Sequence, residues 1–160
     1  MSGSTPPVVV SACLAGVPCR YDGRALPDPS VVEQVRQGRA VTACAEQLAG
    51  LDTPRAAAEI VGGDGHDVLA GRARVVTVDG EDVTAAYVRG AELVAEVADR
   101  AGAASAVLQA RSPSCGCGAV YDGTHSGALV AGDGVVAALL RRRGLQVVAL
   151  RGRRPDAEAG

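Results

Sequence analysis

The chain reads as an α/β protein: a three-layer, Rossmann-like domain with a mostly parallel sheet of about four strands and a small β-hairpin insertion. Three observations lead there. Short apolar runs of strand length alternate with helical patterns, the order that builds a parallel sheet with helices on its faces. At 160 residues the chain is long enough for one core, burying roughly two thirds of the unfolded surface. Its five cysteines fall in three places: Cys13 with Cys19, Cys44, and Cys115 with Cys117. Each place lies just beyond a strand-like run. Loops leaving the carboxyl ends of parallel strands share one edge, so thiols about a hundred positions apart in sequence are expected to meet there.

Taken in order, Val8 to Ala12 is a β-branched run that reads as a buried strand. A loop rich in Gly, Pro and Asp follows, from Cys13 to Pro27. Asp28 is placed to cap a short helix, with Pro29 at its first position, Val31, Val32 and Val35 on one face and Gly38 ending it. Arg39 to Ala43 forms a second strand that runs directly into Cys44. From Glu46 to Gly71 the pattern is that of a long loop with a short helical piece. Arg74 to Val78, Asp79-Gly80, and Glu81 to Val83 spell the small hairpin. The clearest helix runs from Thr84 to Arg100, with Tyr87, Ala91, Val94, Ala98 and Ala101 at helical spacing. Ser105 to Leu108 is a third strand leading into a loop from Arg111 to Gly127. Asp133 is expected to cap a helix that turns Val135, Val136, Leu139 and Leu140 inward and ends at Gly144. Gln146 to Leu150 is the closing strand. Residues 1–150 thus form a single domain in this reading, and 151–160 a disordered tail.

Composition narrows the function classes. Sixteen basic against eighteen acidic residues leave a net charge of −2, and every basic residue is an arginine. Three tyrosines are the only aromatics. A single-strand nucleic-acid binder wants a basic groove with aromatic stacking platforms, so no nucleic-acid partner is expected. The run Arg141-Arg142-Arg143 closes a helix, where cations complement the terminal carbonyls. No apolar run approaches the ~20 residues that span a bilayer, and the first residues lack a signal-peptide pattern. Neither a membrane partner nor export is expected. A cytoplasmic setting disfavours structural disulfides and turns the cysteines toward metal binding or thiol chemistry. Nothing in the sequence indicates an oligomeric state.

The spacings alone leave the chemistry open. Structural zinc usually shows C-x₂₋₄-C pairs, whereas the close pairs here are C-x₅-C and C-x-C. A thioredoxin-type C-x-x-C is absent. Cysteine also packs as a small hydrophobe, but Cys13, Cys44 and Cys115 lie in segments rich in Gly, Pro and Ser, which make poor core. The Gly62-Gly63-Asp64-Gly65 run lacks the phosphate-loop pattern and reads as a turn. His66 and His125 are isolated loop histidines.

Four ordered blocks carry a resemblance. Val10 to Gly23 (VSACLAGVPCRYDG) is similar to the opening signature of the DUF523 family. Cys44-Ala45-Glu46-Gln47 with Thr53-Pro54-Arg55 resembles its second block, and Gly62 to Gly65 with Asp67-Val68-Leu69 its third. Arg111 to Gly116 (RSPSCG) with Tyr121 to Thr124 resembles the fourth. The likeness spans Val8 to Leu150 and marks the domain as DUF523-like. Departures are Ala45 where proline is common, Gln109 where lysine is common, and His125 where an aromatic is usual.

The family includes thiouracil desulfurases, and the resemblance implies a [4Fe-4S] cluster held by Cys13, Cys44 and Cys115. Three protein ligands for four irons leave one iron open to the sulfur of a small thiolated heterocycle. It gives Glu46 the general acid/base role and makes Ser112 the hydroxyl that orients substrate or relays a proton. Cys19 is a candidate accessory thiol, behind the ligands or accepting abstracted sulfur, and Cys117 is incidental. The leading expectation is a cytoplasmic desulfurase working without net redox change. The alternatives are a non-enzymatic metal- or cluster-binding module, and a thiol redox protein using Cys13 and Cys19.

Overall fold

The computed structural model describes residues 5–151. Its centre is a parallel sheet. Strand β1 (Val8–Ser11) is followed by a 3-10 turn, Ala12–Ala15, and helix α1 (Pro29–Arg36). Next come β2 (Ala40–Ala43) and a one-turn helix α2 (Ala45–Leu48). A β3 (Ala58–Val61), α3 (Gly65–Leu69), β4 (Arg74–Thr77) unit leads to the long helix α4 (Thr84–Ala101) and to β5 (Ser105–Gln109). The short strands β6 (Ala119–Tyr121) and β7 (Leu129–Ala131) precede α5 (Val135–Arg142) and β8 (Gln146–Leu150). The main sheet has the order β2-β1-β5-β8, all parallel, with Val9 opposite Val41 and Ala106.

The period of two along β1 decides which helix covers which face. Val9, with Ala106 and Leu108, packs into the main core beside α4 and α5. Val10, with Val8 and Val107, packs beside Leu14 and Val31 under α1. Both faces are thus covered and the three layers follow. Burial of side chains such as Val9, Leu108 and Leu140, each essentially unexposed, contributes roughly 1.5–3 kcal/mol apiece. Asp28 caps α1 as expected, accepting from the N–H groups of Ser30 and Val31. Val32 departs from the expected inward face and is largely exposed.

Strand order explains where a site can form. From β1 the chain crosses to β2 on one side; from β5 it crosses to β8 on the other. The loops after β1 and β5 therefore diverge, opening a crevice at their carboxyl ends, which is where ligands bind in doubly wound sheets. The Ser11 hydroxyl accepts the Gln109 N–H at 2.9 Å and ties the two strands together there.

Three expectations are corrected. The chain does turn back from β4 onto Glu81 to Val83, through Thr77 N–H to Glu81 O and Val83 N–H to Val75 O, but this return forms a single Val76–Asp82 bridge; the ladder partner of β4 is β3, antiparallel to it. That strand hides in the segment expected as a loop because Glu59 is itself buried, accepting N–H groups from Gly123 and His125, so no polar alternation marks it. A second hairpin, β6 with β7, has strands of three residues, too short for a periodic signal. Helix α5 is not capped by the Asp133 side chain. Its N-cap is Gly134, while Asp133 accepts from Gly118 N–H at 2.9 Å and lies 3.0 Å from His66 Nε2. Beyond Arg151 the expected tail lies outside the described residues.

Candidate active site

Three loops build one cavity of about 340 Å³ at the crevice. Cys13 sits in the 3-10 turn after β1, closed by Gly16 in a left-handed conformation at φ 96°. Cys44 ends β2 as the N-cap residue of α2, which carries Glu46 in its only turn. Cys115 follows β5 in a turn whose carbonyls serve α5. Val135 N–H donates to Pro113 O at 2.9 Å, Val136 N–H to Ser114 O at 2.7 Å, and Gly134 N–H to Gly116 O at 2.7 Å. The first N–H groups of a helix have no partner inside it; here the Cys115 turn supplies them and is fixed in return. Cys13, Cys44, Cys115, Glu46 and Ser112 all line this cavity, as does Cys19. The five positions expected to carry the chemistry are brought together.

A hydrogen-bonded path links the two candidate catalytic groups. Ser112 Oγ accepts the N–H groups of Ser114 and Cys115, both at 3.1 Å. With its lone pairs so occupied, its O–H is directed to Ser114 Oγ, 2.9 Å away. The buried Ser114 hydroxyl then donates to Glu46 Oε1 at 3.1 Å. On the other side Arg55 Nη2 stands 3.6 Å from Glu46 Oε2, and the two side chains are only 10% and 14% exposed. Tyr87, from α4, completes the wall, and burial followed by the Glu46 charge pushes its phenol up.

The thiols differ in surroundings. Cys19 lies with Cys13 and Cys44 in a small buried cluster. A hydrogen bond with the Cys13 thiol, then burial, pushes Cys19 up to about 12, against a lowering by Cys44. The partner hydrogen bond to Cys19 and burial raise Cys44 as well. Burial, then the Glu46 charge, pushes Cys115 up to about 12. Cys19, Cys44 and Cys115 therefore hold their protons tightly in the metal-free protein; a metal binds thiolate only and would displace the protons of the thiols it takes. The donor set fits a polynuclear cluster: it is all sulfur, from three loops, around a cavity with room for a body larger than an ion. Among the described residues no group of three His, Cys, Asp or Glu is, as it stands, placed to hold a metal ion.

Cys117 is elsewhere, packed on the main core, its thiol 3.6 Å from Val147 O and in contact with Arg141. His66 and His125 face Asp133 and Glu59, not the cavity. Sequence reasoning missed Ser114, Arg55 and Gly90. Gly90 carried a signal, since a glycine inside a strong helix costs about 1 kcal/mol and implies a packing reason. A Cβ there would stand 2.4 Å from Ala45 O, so α4 approaches the backbone between Cys44 and Glu46 as closely as it can.

A family model described as 2-thiouracil desulfurase matches residues 8–151. The uncharacterized protein YbbK of Bacillus subtilis (strain 168) is 45% identical over 141 residues, 88% of this chain and 93% of that protein. Among solved structures, the [4Fe-4S]-dependent thiouracil desulfidase TudS superposes with a TM-score of 0.79 at 41% identity, covering 91% of each chain.

Proposed function

The chain belongs to the 2-thiouracil desulfurase family, and we propose that it is a [4Fe-4S]-dependent desulfurase that removes sulfur from a small, thiouracil-like heterocycle. The observation that carries this reading is the meeting of three thiol loops with Glu46, Ser114 and Ser112 around one cavity. Cys13, Cys44 and Cys115 would hold the cluster, which when bound supplies an open iron to polarise the C–S bond as a Lewis acid does.

The protein's own residues handle water and protons. The overall change is C=S plus H₂O to C=O plus H₂S, with no net oxidation. Glu46 is the group that takes a proton from the attacking water and returns it to the departing sulfur. Ser112 is the relay at the far end of the path: two backbone N–H groups fix its oxygen, and its O–H goes to Ser114, whose hydroxyl it thereby keeps on Glu46. Tyr87 and the buried Ser114 close the wall behind Glu46 and keep bulk water away from it. Cys19, hydrogen-bonded between Cys13 and Cys44, is an accessory thiol that packs behind the ligands.

The test is anaerobic preparation with iron and sulfide analysis. The wild type is expected to carry about four of each per chain; serine at Cys13, Cys44 or Cys115 should lower both, and serine at Cys19 should not. Equal loading of the Cys115→Ser protein would remove that residue from the ligand set. No helix among the described residues is long and apolar enough to cross a membrane. We place the enzyme in the cytoplasm, where five free thiols remain reduced. Recovery with the membrane or exported fraction of its own cells would contradict this.

A further inference from the structure

We propose, resting on the desulfurase reading above, that Arg55 is a positioning residue for the reaction: it fixes the Glu46 carboxylate from the side opposite Ser114. Its guanidinium is set in place independently of Glu46. Nη1 donates to Asp52 O and to Thr53 Oγ1, both at 3.0 Å, and Nη2 donates to Cys19 O at 3.0 Å. The Arg55 backbone N–H donates to Tyr21 O at 2.7 Å. Arg55 is thus anchored on the first thiol loop and reaches Glu46 on the second, 3.6 Å away. Ser114, on the third, holds the other carboxylate oxygen at 3.1 Å. The carboxylate is held between two loops that also carry thiols.

The donor count decides between positioning and substrate contact. A guanidinium has five N–H donors. Two on Nη1 and one on Nη2 are taken by protein oxygens, and the second on Nη2 is on the Glu46 side. The Nε atom is buried with no hydrogen-bond partner among the described residues. That one remaining donor is buried away from the cavity's open space, so Arg55 offers no exposed N–H to a substrate and acts through Glu46. An unpartnered nitrogen on a buried cation is costly, and an apolar side chain would fill the space with less penalty. Lysine would keep the charge but not the planar fork that spans these acceptors.

The test compares cluster-loaded wild type, Arg55→Lys, Arg55→Gln, Glu46→Gln and the Arg55→Lys/Glu46→Gln double variant, with sulfide release from 2-thiouracil as the rate. Arg55→Lys is expected to lower kcat by about tenfold to a hundredfold, the range for a misplaced reacting group, with KM and iron content unchanged. In the Glu46→Gln background the same change should alter the residual rate less than about twofold, because contacting residues are not additive. Four results overturn the proposal: a rise in KM at unchanged kcat, an equal loss in both backgrounds, wild-type kcat in Arg55→Lys, or loss of iron and sulfide from both Arg55 variants. The last would mean that Arg55 holds the loops and not the carboxylate. A wild type that releases no sulfide, or a Glu46→Gln protein at full rate, sinks the underlying desulfurase reading instead.

Discussion

Replacing Gly90 by alanine tests how the fold places Glu46. Gly90 is buried in the middle of α4, and its backbone is helical, so alanine meets no conformational obstacle. In isolation the change should stabilise the helix by about 1 kcal/mol. The neighbour opposes it. The new methyl would lie 2.4 Å from Ala45 O, 2.9 Å from Ala45 C and 3.1 Å from Ala45 Cβ. Against an ordinary contact of 3.4 Å, the first distance falls short by 3.4 − 2.4, or 1.0 Å. The obstacle is backbone and cannot rotate away, so α2 has to shift by something near that amount. Overpacking of this kind costs about 1–3 kcal/mol, leaving a net destabilisation of about 0–2 kcal/mol and a melting point lower by a few degrees. The chemistry suffers more. Ala45 is bonded to both Cys44 and Glu46, and a misplacement near 1 Å costs about 10²-fold in rate, equivalent to about 2.7 kcal/mol of barrier. The assay is sulfide release from 2-thiouracil beside thermal melting of the same loaded preparation. A Gly90→Ala protein with wild-type turnover and a raised melting point would refute the reasoning.

Other outcomes follow from the same geometry. Ser114→Ala removes a hydrogen bond to a carboxylate, worth about 1.5–3 kcal/mol, and should lower kcat by roughly tenfold to a hundredfold; an unchanged kcat would mean that the Ser112–Ser114–Glu46 path is idle. The cluster-free protein should lose stability at high pH. Cys19 and Cys115 are each pushed from the ordinary thiol range up to about 12, so the folded chain holds these protons more tightly than the unfolded chain, whose thiols titrate near ~8.5. Their contribution is complete below about 8.5 and lost as pH rises toward 12, so the urea midpoint should fall from pH 8 to pH 10.5; a flat or rising midpoint would count against the buried, protonated thiols. Cys117→Ser should leave iron and sulfide content unchanged, since that thiol points to Val147 and Arg141; loss of iron would return Cys117 to the ligand set.

The legible parts of this molecule were those where one stretch of residues suffices to state the physics. β1, β2, β5 and β8 are β-branched or apolar runs, α1 carries the Asp28 cap, and α4 has a regular apolar face. Once those strands were parallel, their carboxyl ends had to share an edge, so the three cysteine-bearing loops were expected at one site before any coordinate, while the choice of Cys13, Cys44 and Cys115 among the five thiols is what the family resemblance implies. What escaped depended on partners distant in sequence. Glu59 looks like a surface residue until the N–H groups of Gly123 and His125 are found against it. Ser114 stands in the fourth block of the resemblance with no role attached until Glu46, 68 positions away, is seen to accept from it. Arg55 stands in the second block of the resemblance with no role attached until its nitrogens are followed to Asp52, Thr53, Cys19 and Glu46. The cap of α5 was misassigned for a related reason: the helix takes its acceptors from the Cys115 turn, leaving Asp133 to bind Gly118 and His66.

The central claim is a hydrolysis of C=S at a three-thiol cluster site, with Glu46 moving the proton. Its most direct measurement is the yield of uracil and of sulfide from 2-thiouracil, taken anaerobically on the loaded protein with no added oxidant or reductant. The account predicts one sulfide for each uracil over many turnovers, and a rate that collapses in Glu46→Ala at unchanged iron content. Turnover that requires a reductant, or product formation indifferent to Glu46, would contradict it.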